Sequence, residues 1–259
     1  IALKIALFPL HAWLPNAYAF APSVGTAFLA STATKVAIYL LIKYLYLVYG
    51  FDLVYSNQIF IFVVLSLSII AMFGASMIAI SQRNLKKLFA YSSVAQIGYI
   101  TLGIGIANYS GLIGSTAHII NHSIIKAAIF LAIGCLVFSS KILNIDQLAG
   151  LGKRMPMVAV CITVSSLSLI GVPGTVGFIS KWYLVLGSLE QGLWVVVFAL
   201  AVSSILALIY VGRIIELIWF HAPVGGMVSQ NKIPFEMIAV TVLMTIATIY
   251  FGIDTRLTG

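Results

Sequence analysis

Three side chains able to bind and release protons recur every four residues in the middle of the chain: His118, His122 and Lys126. On an α-helix, successive members of such a series drift by only about 40°, so the three form one polar stripe along a single face. Asn121 and Ser123 fall close beside this stripe. Histidine titrates near neutrality, and burial can lower the pKa of a lysine by several units, so these residue types suit a chain that passes protons.

The residues around the stripe are almost all apolar from about position 112 to position 138. A run of this length can cross a bilayer, and titratable groups inside a membrane span are costly enough to indicate a function. A metal site and a ligand pocket are alternatives for the stripe. The spans offer no set of Cys, Asp and Glu ligands that would complete a metal shell, so we predict no metal and a relay of Lys, His and water.

The composition places the stripe in a membrane protein. Of 259 residues, 62% are hydrophobic and only 8% are charged, whereas soluble domains carry about a quarter charged residues. We therefore assign the formal charge of +8 to cytoplasmic loops and buried lysines, and not to nucleic-acid binding. Cys135 and Cys161 both fall in apolar runs, which favours packing over a disulfide or a metal site.

The apolar pattern predicts an all-α polytopic membrane protein with about eight transmembrane segments, of which the first is partial. Residues 1–13 look like the second half of a span, and the sequence does not begin with Met, so we expect further chain upstream of Ile1. The complete spans are predicted at about residues 23–49, 59–80, 88–107, 112–139, 156–187, 192–220 and 234–252.

The charges of the connecting loops support this count. Lys and Arg residues occur in alternate loops, around positions 83–87, 141–154 and 232, while the intervening loops hold acidic residues or no charge. Positive loops favour the cytoplasmic side of a membrane. The pattern therefore predicts that the three positive loops share one side and that the carboxyl terminus lies on the other.

Two segments are predicted to interrupt helices, near residues 4–15 and 171–177. The first contains Pro9, and the glycines and proline of the second are Gly171, Pro173, Gly174 and Gly177. A broken helix leaves unpaired backbone groups that survive in a membrane only where protein or a hydrated cavity supplies partners. A lysine stands near each break, which is typical of the internal repeats of transporters.

Four lysines fall inside predicted spans: Lys4, Lys35, Lys126 and Lys181. One such lysine could extend to an interface or pair with a carbonyl, but Lys35 and Lys126 have apolar turns on both sides. Together with the two histidines, the four lysines predict a buried polar chain.

Secondary candidates are His11 and Gln96. His11, at a predicted membrane edge, fits a structural cap as well as a proton entry, and Gln96 could pack or line a water path. Arg213 and Glu216 are spaced for an i,i+3 ion pair.

Other chemistry is not indicated. The sequence has no nucleophile elbow, P-loop or dinucleotide-binding fingerprint in a suitable context, and its spans hold no paired carboxylates. We therefore predict no catalytic residue and no cofactor on this chain. An oxidoreductase label would belong to a complex that contains it, so whether it counts as an enzyme stays open.

Several motifs resemble one known family. The chain is similar to the proton-translocating antiporter-like subunits shared by respiratory complex I (NADH:quinone oxidoreductase), membrane-bound hydrogenases and Mrp multisubunit cation/proton antiporters. The residues around 179–184 look more like those of the D-type Mrp protein. The similarity rests on the polar stripe and on residues 8–15 (FPLHAWLP), 91–99 (YSSVAQIGY) and 177–181 (GFISK).

The resemblance implies two inverted five-helix repeats, each with a broken helix, joined by a hydrophilic axis in the membrane plane. Residues 1–49 would be the remnant of the first repeat, residues 59–220 the second repeat, and residues 234–259 a final helix and tail. Lys4 matches the lysine of the first broken helix, Lys35 the connecting lysine and Lys181 the lysine of the second broken helix. The stripe matches the polar helix of the second half, and a family glutamate has no counterpart here.

The resemblance further implies a proton-translocating subunit of a Na+/H+ antiporter of the Mrp type. Alternatives are a proton-pumping subunit of a complex I-type enzyme or membrane hydrogenase, and a truncated, transport-inactive structural subunit. An autonomous solute carrier is disfavoured because no further substrate site is visible. Expected partners are other membrane subunits, protons and Na+, and the expected location is a bacterial inner membrane.

Overall fold

A computed structural model describes residues 1–223 and 231–254, and these residues form helices joined by short turns. Within these ranges β-type pairing is limited to one isolated antiparallel bridge, between Asn84 and Asn144. The helices are α1 Ala2–Ile5, α2 Trp13–Phe20, α3 Ser23–Lys43, α4 Phe51–Ser56, α5 Gln58–Ser81, α6 Leu85–Gly105, α7 Tyr109–Ser140, α8 Leu151–Arg154, α9 Pro156–Ile170, α10 Val176–Glu190, α11 Trp194–Phe220 and α12 Phe235–Ile253. A π-helical turn, Tyr44–Val48, extends α3, and a 3-10 turn, Ile145–Leu148, precedes α8.

Six of the described helices are long and apolar enough to cross a membrane: α3 with its π-helical extension, α5, α6, α7, α11 and α12. They match six of the seven predicted complete spans to within a few residues at each end. The seventh predicted span, residues 156–187, is divided between α9 and α10. The prediction of an all-α membrane protein is therefore confirmed.

The second predicted break lies between α9 and α10. Gly171 ends α9 with φ of 93°, and Gly174 follows with φ of 84°, a conformation that glycine adopts without the penalty of a Cβ atom. The Thr175 hydroxyl donates to the carbonyl of Val172 at 2.6 Å and closes the turn. The chain resumes helical geometry at Val176.

The prediction is wrong for Gly177, which is helical and lies in the first turn of α10. A Cβ atom at this position would collide with the carbonyl oxygen of Ser168 in α9. Gly177 therefore permits the close crossing of two helices and does not interrupt one. A glycine in a sequence can indicate either role, and here only the neighbouring helix distinguishes them.

The first predicted break is also present. Helix α1 ends at Ile5, residues 6–12 form turns that include Pro9, and α2 begins at Trp13. The indole Nε1 of Trp13 donates to the carbonyl of Leu3 at 3.0 Å and holds α2 against α1.

Helix α7 occupies the centre of the bundle. It packs against α3, α6, α9, α10 and α12, and its 32 residues extend about 48 Å at 1.5 Å per residue. Neighbours on several sides supply the partners that a polar stripe needs away from lipid. Close approach depends on small residues, since a Cβ atom on Gly103 of α6 would lie 2.6 Å from the carbonyl oxygen of Gly111 in α7.

The loops that carry Lys and Arg meet at one end of the bundle. The amide of Leu85 donates to the carbonyl of Leu143 at 2.7 Å, and the amide of Gly150 donates to the carbonyl of Leu217 at 3.0 Å. At the other end, the Ser110 hydroxyl donates to the Glu190 carboxylate at 2.6 Å. This arrangement agrees with the prediction that the positive loops share one side.

The predicted ion pair between Arg213 and Glu216 is wrong. Arg213 instead lies 3.4 Å from the Asp146 carboxylate, and Glu216 lies 3.3 Å from His221. The loop before α8 folds back beside α11 and brings a carboxylate to Arg213 from a distant part of the chain. Sequence spacing along one helix could not anticipate that contact.

Candidate functional site

The polar stripe of α7 is buried along its whole length. The exposed fraction is 1% for His118 and 0% for both His122 and Lys126. The chain therefore places three titratable groups where water from the surface does not reach them. His118 and Lys126 find hydrogen-bond partners within the protein, and His122 has none among the described residues.

Both ring nitrogens of His118 form hydrogen bonds. Nδ1 lies 2.7 Å from the Ser180 hydroxyl of α10, and Nε2 lies 2.8 Å from Oε1 of Gln96 in α6. With this orientation of the amide, Nε2–H donates to Gln96, and Nδ1 accepts from Ser180 when the ring is neutral. If Nδ1 gains a proton, the Ser180 oxygen can accept instead, so His118 is satisfied in both protonation states.

His122 differs from His118. Among the described residues, neither of its ring nitrogens has a hydrogen-bond partner. Its ring stacks on that of His118, with centroids 6.0 Å apart and an interplanar angle of 16°. Lys35, Lys126 and His118 all interact with it electrostatically. His122 therefore has two unpartnered ring nitrogens in the neighbourhood of Lys35 and Lys126.

Lys126 is held by α6. Its Nζ donates to the carbonyl of Phe89 at 2.8 Å and to the hydroxyl of Ser92 at 2.6 Å. The ring centroids of Phe89 and Phe130 lie 5.6 and 6.0 Å from Nζ, within the range of cation–π attraction. This environment can hold either an ammonium or a neutral amine.

Lys35 approaches the stripe from α3. It is buried, its Nζ donates to the carbonyl of Ala30, and it interacts electrostatically with both histidines and with Lys126. The prediction that Lys35 is too deep to reach a membrane interface stays a prediction. Lys43, two turns further along the same helix, is exposed, with its Nζ 5.0 Å from the Tyr39 ring centroid.

Lys181 binds the broken end of α9. Its Nζ donates to the carbonyls of Ile170 at 2.6 Å and Leu169 at 3.3 Å, two groups that have no further helical turn to bond. The carboxyl end of a helix carries partial negative charge, which favours an ammonium there. The ring centroid of Tyr99 lies 4.5 Å from the same nitrogen. The break therefore creates the binding site of the lysine that follows it.

A side chain beside the stripe also contacts this break. The Asn121 amide donates to the carbonyl of Val176 at 2.8 Å, at the start of α10. Asn121 lies between His118 and His122 along α7, so it fixes α10 relative to the two histidines. The hydrogen bond from Ser180 to His118 strengthens the same junction.

Two predicted residues lie apart from this group. Lys4 is exposed at the surface of the described chain, and its assignment to the relay stays a prediction. His11 stacks on Phe8 with ring centroids 4.8 Å apart and meets Tyr91 edge-on at 6.3 Å. Gln96, in contrast, joins the buried group through His118.

The sequence did not predict the buried contacts of three residues: Ser180, Tyr99 and Lys86. Ser180 and Tyr99 stood inside motifs already noted, but a serine or tyrosine in an apolar run gives no sign of facing a histidine or lysine. Lys86 was assigned to a loop because the span was expected to begin at residue 88. It is buried in the first turn of α6, and its Nζ donates to the carbonyl of Ala21 at 3.0 Å.

Within the described ranges, no group of three or more His, Cys, Asp or Glu side chains is arranged to hold a metal ion. The buried group consists of amines, imidazoles, hydroxyls and amides. The amines and imidazoles among them can bind and release protons. Along α7 they follow in the order Lys126, His122, His118. Lys181 lies next to Ser180, the partner of His118, and Lys35 lies near both histidines. We call this set of residues the buried line.

Comparison with known proteins matches residues 1–207 to the family described as NADH:quinone oxidoreductase/Mrp antiporter, transmembrane. NADH-quinone oxidoreductase subunit N of Desulforudis audaxviator is 39% identical over 235 residues, which cover 90% of this chain and 46% of that protein. F(420)H(2) dehydrogenase subunit N of Methanosarcina mazei is 31% identical over 260 residues, covering 96% of this chain and 52% of that one. The chain thus spans about half the length of these relatives.

Solved structures show the same fold. A chain of the Mrp complex from a Dietzia species superimposes with a TM-score of 0.88 at 25% identity, covering 99% of this chain and 55% of that chain. A chain of respiratory complex I from Thermus thermophilus superimposes with a TM-score of 0.80 at 21% identity, covering 99% and 55%. The second likeness concerns the fold alone.

Proposed function

We propose, because this chain belongs to the NADH:quinone oxidoreductase/Mrp antiporter family of membrane proteins, that it moves protons through the buried line. The observation that supports this most directly is His118, whose two ring nitrogens connect α6 to the broken helix α10 while tolerating either protonation state. A purely structural histidine needs only one such state.

In the mechanism that we propose, Lys35 exchanges protons with the group formed by Lys126, His122 and His118. Lys181 then passes them toward one membrane face. Helices α3, α6 and α7 contain no Asp or Glu, so each proton bound to these lysines adds net positive charge. Two like charges 4 Å apart repel by about 4 kcal/mol at an effective dielectric constant near 20, and this repulsion drives release.

The test is proton flux through vesicles that contain the complete assembly. We expect Lys126→Ala and Lys181→Ala each to lower the flux by at least about tenfold, which corresponds to about 1.4 kcal/mol of lost stabilisation along the path. Lys43→Ala is the matched control, because Lys43 is exposed and outside the buried line. Wild-type flux in both Lys126→Ala and Lys181→Ala would refute the proposed function.

The assembly is part of the proposal. We propose that the chain works with other membrane subunits in a bacterial inner membrane, either in an Mrp-type Na+/H+ antiporter or in a redox-driven complex. The similarity to a chain of the Mrp complex supports the first, and the 39% identity to a protein named NADH-quinone oxidoreductase subunit N supports the second. Flux that requires a Na+ gradient indicates the antiporter, whereas flux that requires NADH and quinone indicates the redox complex.

A further inference from the structure

Two helices beside the buried line each carry a buried serine and a buried tyrosine seven residues apart. Ser92 and Tyr99 lie on α6, and Ser203 and Tyr210 lie on α11. A separation of seven residues returns a side chain to nearly the same helical face about 10 Å further along. Each helix thus presents two hydroxyls on one buried face.

The two pairs face each other in opposite order. Tyr210 lies beside Ser92, and the hydroxyl of Tyr99 lies beside Ser203 and 3.4 Å from that of Ser204. Because α6 and α11 run antiparallel here, the hydroxyls come alternately from the two helices. We call them the hydroxyl series, in which Tyr99 contacts Ser204 directly and the Tyr210 hydroxyl makes no direct hydrogen bond among the described residues.

This series begins and ends at a lysine of the buried line. At one end, Ser92 accepts a hydrogen bond from Lys126 Nζ at 2.6 Å. At the other end, Ser204 accepts one from Lys181 Nζ at 3.5 Å. The series therefore joins Lys126 to Lys181 without passing through either histidine.

The hydroxyls of the series have unused hydrogen-bonding capacity. Ser92 donates to the carbonyl of Phe89 at 2.9 Å and keeps an acceptor site toward Tyr210. In the part of the chain that the structure describes, the hydroxyls of Tyr210 and Ser203 have no hydrogen-bond partner of normal geometry. Buried hydroxyls in this condition are commonly satisfied by internal water.

Ser204 makes long, direct contacts at the Lys181 end of the series. The contacts of Ser204 with Tyr99 and Lys181, at 3.4 and 3.5 Å, exceed the usual length of about 2.7 Å for a direct O–H···O bond or 2.9 Å for N–H···O. On the adjacent helix α9, three further buried serine hydroxyls have no partner among the described residues. They belong to Ser165, Ser166 and Ser168.

We propose that the hydroxyls of Ser92, Tyr210, Tyr99 and Ser204, together with internal water, form a second proton route between Lys126 and Lys181. This route runs parallel to the one through His122 and His118, and it rests on the proposed function. Each hydroxyl passes its proton forward and receives another from behind, so its own protonation state is unchanged after a transfer. Tyr210 belongs to this route and has no part in the histidine route, so substituting it tests this route alone.

The test compares Tyr210→Phe, His122→Leu and the double variant in vesicles that contain the complete assembly. Phenylalanine keeps the ring and removes only the hydroxyl. We expect each single variant to retain about half of the wild-type proton flux, because two routes of similar conductance each carry part of it, and the double variant to carry almost none. Tyr109→Phe is the control, since Tyr109 is exposed at the end of α7.

Several results would overturn the second route. They are wild-type flux in Tyr210→Phe, complete loss of flux in Tyr210→Phe alone, or a double variant no worse than His122→Leu. If Tyr210→Phe lowers the amount of assembled complex, Ser204→Ala serves instead, with the same expected half loss and the same criteria. Loss of flux in Lys126→Ala and Lys181→Ala with normal flux in Tyr210→Phe would reject this route and leave the proposed function standing.

Discussion

The buried lysines are held by neutral groups. Lys126 and Lys181 donate to carbonyls and hydroxyls and lie over aromatic rings, and neither has a carboxylate as a hydrogen-bond partner among the described residues. Neutral partners stabilise an ammonium less than a carboxylate does, which keeps the cost of releasing a proton low. For the same reason, we expect each buried amine to lower the free energy of unfolding.

Replacing Lys126 by residues of different volume separates its charge from its size. Lys126→Met keeps most of the volume, so we expect the thermal midpoint of the solubilised assembly to be unchanged or higher, while proton flux is lost. Lys126→Ala opens a cavity and is expected to cost about 2–5 kcal/mol. Thermal unfolding of the two variants in detergent measures the difference. A midpoint for Lys126→Met as low as that of Lys126→Ala would show that the amine stabilises the fold.

At the scale of residues, the sequence could identify side chains that are rare in a membrane span, which here are the titratable ones. A histidine or lysine in an apolar span stands out because of its cost. Of the residues predicted in this way, His118, His122, Lys126, Lys35 and Lys181 are buried and Lys4 is exposed, and their assignment to a relay stays a prediction. Hydroxyls do not stand out, because serine and tyrosine occur in many spans as packing residues. Their roles depend on which helix faces them, and that is a property of the tertiary structure.

At the scale of elements, the junction of α9 and α10 places strict limits on the size of the side chains within it. The end of α9 supplies the carbonyls that bind Lys181, while the first turn of α10 must pass close enough to keep Lys181 in reach of them. Gly177 allows this approach, since any larger residue would meet the Ser168 carbonyl.

We therefore expect Gly177→Ala to separate the two helices, to destabilise the assembly by about 1–3 kcal/mol and to reduce proton flux. The matched control is Gly212→Ala in α11, where no described atom lies within 4 Å of the added Cβ. Alanine at that position is expected to stabilise the helix by about 0.5–1 kcal/mol without loss of flux. Thermal midpoints and flux measured on both variants test the pair. If the two variants have the same thermal midpoint and the same flux, the crossing of α9 and α10 does not require glycine at position 177.

Helix boundaries were accessible from the sequence for a physical reason. Long apolar runs and the glycines at 171 and 174 determine the conformation of their own segment, and the helix boundaries in the structure agree with those expected from them. Lys86 was placed outside its helix because a charged residue usually marks the end of a span. Its bond to the carbonyl of Ala21 in another segment removes that cost.

At the scale of the whole molecule, the loops sort into two ends of the bundle. Single cysteines at Lys153 and Gln191, both exposed and at opposite ends, are expected to react with an impermeant thiol reagent from opposite sides of the membrane. Cys135 and Cys161 are buried and serve as the unlabelled background. Mass spectrometry of sealed vesicles of known orientation measures the labelling. Modification of both sites from one side would contradict this topology.

The neighbour relations of the helices were not accessible from the sequence. The spans could be counted, but their order around α7 depends on small residues such as Gly103 and Gly111, whose partners lie on different helices. The division into residues 1–49, 59–220 and 234–259 stays a prediction, and the last residues, 255–259, fall outside the described ranges.

The contacts of α6 provide a measure of depth for the buried line. Its 21 residues extend about 31 Å, close to the thickness of about 30 Å of a hydrocarbon core. Lys126 meets α6 at Ser92, His118 meets it at Gln96, and Lys181 meets it at Tyr99.

From Ser92 to Tyr99 is about 10 Å along the axis, or about a third of the membrane. A full crossing by one charge changes its energy by about 2.3 kcal/mol for each 100 mV of membrane potential, so passage along the line accounts for only about 0.8 kcal/mol of it. Under the proposed function, the steps by which protons enter and leave the protein therefore carry most of the electrical work, and the voltage dependence of transport is set at the two ends of the line.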